Sequence, residues 1–99
     1  MALIHEENYY VADDKFCVKF RTSKFRGSLN SELRTEVMVM PKVENSNSYS
    51  FNSSKDIHRE LLKTVTGRVT KQMIQKHRDF ITGNYSRILQ EVKQHYVTA

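Results

Sequence analysis

The chain has 99 residues, 38% of them hydrophobic and 27% charged, with five Tyr, five Phe, three Gly and one Pro, a composition that suits one domain with a modest core and excludes a disordered or Gly/Pro-rich linker. No run is long and apolar enough to span a bilayer, and the single cysteine, Cys17, leaves no internal disulfide and fits a reducing, cytoplasmic setting. The formal net charge of +5 is carried by residues 55–99, which hold nine Lys/Arg against four Asp/Glu, whereas residues 1–54 hold seven of each.

The N-terminus turns acidic at Glu6 and Glu7 and lacks the basic start and apolar run of a secretory signal. Asn8–Ala12 is expected to form a short strand closed by an Asp13–Asp14 turn. Residues 15–21 alternate, with Phe16, Val18 and Phe20 on one face and Lys15, Cys17, Lys19 and Arg21 on the other, the period of a half-buried strand. Residues 33–43 alternate as well: Leu33, Thr35, Val37 and Val39 oppose Arg34, Glu36, Met38 and Met40, until Pro41 removes a backbone donor. The turn-forming residues 26–31 between these runs predict an antiparallel hairpin with a long tip carrying Lys24, Arg26 and Arg34. The polar stretch 44–54 reads as a loop anchored by Tyr49 and Phe51, whose period of two also allows a short third strand.

From Ser53 the period changes. Ser53 and Asp56 resemble a capping box, and Ile57, Leu61 and Val65 recur every fourth residue, which predicts a first helix over about 54–66. Gly67 is read as its stop, followed by a second helix over about 69–82 with Val69, Met73, His77 and Phe80 inward. Gly83–Asn84 is read as a restart, and Tyr85, Ile88, Leu89, Val92 and Tyr96 give a third helix over about 85–96. The expected architecture is α+β: one domain over 1–99, strand-rich at 8–52 and helical at 54–97. In it an N-terminal antiparallel hairpin or three-stranded meander packs against two or three C-terminal amphipathic helices.

Two basic groups invite an acidic partner. The helical half offers Lys63, Arg68, Lys71, Gln75, Lys76, Arg78 and Arg87, side chains that reach phosphates and base edges, and the hairpin adds Lys24 and Arg26. A helix-turn-helix about Gly67 is a poor fit, because Lys63 stands where a small residue should let the helices approach and Arg68 where an apolar one is usual. Phe25, beside Lys24 and Arg26, could serve as an exposed contact, and Met38 and Met40 could form an apolar docking patch if their face is uncovered. Basic residues interleaved with rings suit single-stranded nucleic acid, but Phe16 and Phe20 point away from Lys15 and Lys19 and read as core.

Catalytic and metal signals are weak. His5, His58, His77 and His95 lack zinc-ligand spacing with Cys17, no Gly-rich phosphate loop occurs, and a Cys17 nucleophile has no identifiable base. The expectation is a cytoplasmic, non-enzymatic regulatory protein without a cofactor or membrane attachment, binding nucleic acid through its basic helical surface. The alternative is a small inhibitor or adaptor that docks on the acidic surface of a partner protein by its hairpin edge or a helical face. A second copy of the chain is a further candidate partner.

Overall fold

The computed structural model describes residues 2–49 and 58–96. Among the described residues four strands precede one helix: β1 (Ala2–Val11), β2 (Phe16–Arg26), β3 (Ser31–Pro41), β4 (His58–Thr66) and α1 (Lys71–Tyr96). The strands form one sheet in the order β1-β2-β3-β4, every neighbouring pair antiparallel, so β1 and β4 are its edges. The helix returns along one face of this sheet, antiparallel to β4, with His77 bonded to Thr64 and Glu91 to Arg59.

The predicted hairpin forms as β2 and β3, with Val18 opposite Val39 and Phe20 opposite Val37. Those side chains and Val11 meet Ile81, Ile88 and Val92 of α1 in the buried core, and Tyr9, Phe16, Leu61, Tyr85 and Leu89 close its margin. The two residues from β1 and α1 at that margin stack: the Tyr9 and Tyr85 rings lie 5.1 Å apart and nearly parallel. Burial drives this packing, at roughly 1.5–3 kcal/mol for each large apolar side chain fully removed from water.

Three expectations are corrected. The first helix predicted over about 54–66 is, from His58 onward, the edge strand β4; its Ser53–Asp56 cap and Ile57 lie outside the described residues. The second and third helices are one continuous helix, Lys71–Tyr96, running through Gly83 and Asn84. The architecture is therefore a four-stranded antiparallel sheet followed by one C-terminal helix, and the hairpin or three-stranded meander with two or three helices is set aside. With Gly67 joining a strand to a helix, the helix-turn-helix falls too. Among the expected short strands, the first lengthens to Ala2–Val11, while Tyr49 makes an isolated bridge to Lys42 and Phe51 lies outside the described residues.

Each correction has a local cause. In β4 a register shift at Leu61 inserts a bulge between the pairs Thr35–Leu62 and Glu36–Glu60, so that Leu61 turns to the core while Val65 lies on the other face, and their four-residue spacing does not mark one side of a helix. The β-branched run Thr64–Val65–Thr66 opposes helix and favours strand. In α1 the inward residues Ile74, His77, Ile81, Tyr85, Ile88 and Val92 keep helical spacing across Gly83. A mid-helix glycine costs about 1 kcal/mol, less than that buried face supplies.

A basic cleft at the hairpin tip

The sheet ends in two sets of turns. At one end lie the start of β1, the β2–β3 turn, and the β4–α1 connection, because Ala2 pairs with Lys24 and Ser31 with Thr66. The β2–β3 turn is closed by the Gly27 amide donating to the Asn30 carbonyl at 2.8 Å. A Cβ on Gly27 would stand 3.0 Å from that same carbonyl oxygen, so glycine suits the turn. Helix α1 begins beside it, with the Thr70 hydroxyl accepting the Met73 amide at 3.3 Å in a capping arrangement.

Between hairpin tip and helix start is an open cleft of about 510 Å³. Lys24, Arg26 and Arg68 bring positive charge to its lining, Ser28, Asn30 and Ser31 bring polar groups, and none of its lining residues is acidic. Lys71 follows Arg68 by three positions at the start of α1, whose first turn contains no acid. None of these four cations makes an ion pair among the described residues. Since the helix's positive end favours anions, charges of the same sign around it reinforce one preference.

The other predicted contacts disperse. Lys63 lies on the sheet face away from the helix, 3.5 Å from Glu32. Arg87 bonds Glu91 at 2.8 Å and Asn84 at 3.3 Å. Glu91 also accepts from Arg59 of β4, and the paired guanidinium groups hold its carboxyl below the usual range. Lys76, three helical turns before Arg87, shares that flank. Arg78 lies on the opposite flank, where its charge reaches Glu7 of β1, and Gln75 donates to Asp79 at 2.8 Å. Thus Lys24, Arg26 and Arg68 converge with Lys71 beside them, and Lys63, Gln75, Lys76, Arg78 and Arg87 stand elsewhere.

Phe25 lines a second, smaller groove of about 280 Å³ on the adjoining side of the tip, with Val65 and Glu32, and this groove shares Arg26, Gly27, Asn30 and Ser31 with the basic cleft. The Arg34 guanidinium sits 4.4 Å from the Phe25 ring centroid, a cation–π contact, and is held there by Glu32 at 2.7 Å and Glu60 at 3.5 Å. Leu29, 89% exposed, crowns the turn. Met38 and Met40 point to the sheet face that α1 does not cover, yet they are only 5% and 8% exposed, so they belong to the interior of that face.

Sequence reasoning missed Ser28, Asn30 and Ser31 as lining residues, because a Gly-Ser-Leu-Asn-Ser string signals a turn and nothing about what that turn faces. The pairing of Arg68 with the hairpin tip was hidden for another reason: it depends on β4 being a strand.

Cys17 is buried, and burial pushes its thiol up, against a smaller downward pull from Lys19. Tyr9 donates to Glu7 at 2.8 Å; burial, then that carboxylate, pushes the phenol up to about 12. For Glu7, burial is the largest influence and acts upward, but hydrogen bonds from His5 and Tyr9 outweigh it and leave the carboxyl lowered. Among the described residues no three His, Cys, Asp or Glu side chains gather as a metal would require, and no helix is long and apolar enough to cross a membrane. No protein family, curated protein sequence or solved structure matches the chain.

Proposed function

We propose that the protein is a small non-enzymatic binding protein that engages nucleic acid through the basic cleft at its hairpin tip. The observation that carries this reading is the meeting of Lys24 and Arg26 with Arg68, which is distant from them in sequence, around one open cleft with no carboxylate in its lining. Phosphates are the commonest target of such groups, and contact with them needs little beyond positive charge at suitable spacing. The helical surface first expected to bind is replaced in this proposal by the tip, because the helical cations face different ways. The buried, lone Cys17 suits a cytoplasmic location.

Three phosphate contacts predict that affinity for duplex DNA falls roughly 40-fold between 50 and 200 mM salt. Fluorescence anisotropy with a labelled oligonucleotide measures this directly. The triple variant Lys24→Glu, Arg26→Glu, Arg68→Glu should abolish binding and keep the native far-ultraviolet dichroism. Salt-independent binding, or unchanged affinity in the triple variant, overturns the reading.

A second reading, docking on the acidic surface of a partner protein, draws on the exposure of Leu29 at 89% and Val65 at 57% beside the same cations. It predicts nuclease-resistant capture of one defined protein from a native lysate and no affinity for oligonucleotides.

A further inference from the structure

We infer that the nucleic acid this tip accepts is single-stranded, with a base lodged in the Phe25–Val65 groove while its flanking phosphates lie in the Lys24–Arg26–Arg68 cleft. This rests on the nucleic-acid reading above and adds the strand state of the ligand. Two adjoining hollows of different character carry it. The cleft presents cations and polar groups, whereas the groove presents the Phe25 ring and the Val65 side chain. Arg26, Gly27, Asn30 and Ser31 form the wall they share, so a chain that alternates charge with flat aromatic surface can occupy both at once.

A polynucleotide strand is such a chain, and only an unpaired one can turn a base outward at no cost in base pairing. A duplex offers phosphates to the cleft but keeps its bases stacked inside. Glu32 lines the groove without repelling the strand strongly, because Arg34 and Lys63 both pair with it. The same Arg34 stacks on Phe25 and, anchored by Glu32 and Glu60, fixes the ring's orientation before any ligand arrives. A ring held in place loses less freedom when a base packs on it.

The chain contains no Trp, so Phe25→Trp installs a single fluorescent reporter in the groove. Titration of that variant with a 12-nucleotide oligothymidylate should quench the indole emission as binding saturates, and a 12-base-pair duplex should leave it unchanged. In parallel, Phe25→Ala should weaken oligothymidylate binding about ten-fold or more and leave duplex affinity and its salt slope intact, with circular dichroism confirming the fold. If oligothymidylate binds without quenching, or Phe25→Ala weakens both probes equally, the single-strand inference is overturned and the phosphate-binding reading survives. If neither probe binds at 50 mM salt, the nucleic-acid reading itself falls and takes this one with it.

Discussion

His77 Nδ1 and Thr35 Oγ1 lie 2.8 Å apart in the interior, joining helix to sheet across 42 positions of chain. The contact belongs to a polar row: Thr22 bonds Thr35 at 2.8 Å, and Thr64 meets the other imidazole nitrogen at 2.9 Å. His77, Thr22 and Thr35 are fully buried, and both ring nitrogens have hydroxyl partners, so the row offsets the cost of placing an imidazole under the helix. An apolar stripe with a histidine in it is, in this molecule, a hydrogen-bonded core.

That arrangement sets a pH dependence. Burial, helped by the neighbouring Lys76, depresses the His77 pKa below its ordinary 6.5, so the folded protein holds the ring neutral to lower pH than the unfolded chain does. Well above pH 6.5 neither folded nor unfolded chain protonates it, and the stability is complete. As pH falls below 6.5 the unfolded chain binds a proton that the folded one refuses, and unfolding becomes easier by up to about 1.4 kcal/mol per pH unit until the folded pKa is reached. Urea denaturation at pH 7.5, 6.5 and 5.5 should show this slope in the native protein and a shallower one in His77→Gln. Equal slopes would mean that His77 titrates normally.

Gly83 offers a stabilising substitution. It lies in the interior of α1, and a Cβ there would meet nothing within 4 Å. Gly83→Ala should raise stability by about 0.5–1 kcal/mol, chiefly by restricting the unfolded chain. Thermal denaturation should register a higher midpoint, and a lowered one would contradict a continuous helix.

The β1–β2 turn predicts the opposite exchange. Ala12, Asp13 and Asp14 all take positive φ, at 56°, 56° and 63°, and Ala12 has no polar side chain to compensate in that region. Ala12→Gly should be neutral or stabilising, by up to about 1 kcal/mol, although glycine in most other positions would weaken the chain. A loss above 1 kcal/mol in denaturant titration would show that the methyl group contributes packing that outweighs its backbone strain.

The dispersed cations furnish an internal control for binding. Lys76→Glu and Arg87→Glu remove as much positive charge as Lys24→Glu and Arg68→Glu, but on a flank of α1 that does not line the cleft. The first pair should shift affinity only modestly through the long-range field, and the second should also reduce the slope of affinity against salt by about 0.9 for each lost phosphate contact on duplex DNA. Equal slopes for the two pairs would point to a diffuse surface instead of a localised one.

The parts of this fold legible in sequence are those where one residue pattern has one explanation. Phe16, Val18 and Phe20 could face inward only on a strand, and Leu33, Thr35, Val37 and Val39 answer them across β2 and β3. The edges were harder. The first half of β1 carries His5, Glu6 and Glu7 because an edge strand has one neighbour and tolerates polar groups on both faces. In β4, the four-residue spacing of Leu61 and Val65 is even and therefore open to a strand as well as a helix, and this one element concealed the cleft, since Arg68 reaches Lys24 and Arg26 only if the chain before it runs up the sheet edge. The excess charge was readable, but its distribution in space depended on that topology.

The molecule extends about 44 Å along its longest axis. Among the described residues Lys24, Arg26, Arg68 and Lys71 crowd the hairpin-tip end of the sheet, whereas at the other end Asp13, Asp14 and Glu44 offset Lys15, Lys42 and Lys93 of the last turn of α1. Among the described residues, positive charge is thus unbalanced at the tip and balanced at the far end. Under the proposed nucleic-acid reading, a polyanion within a Debye length meets the stronger positive field at the tip first, so that random collisions become aligned encounters.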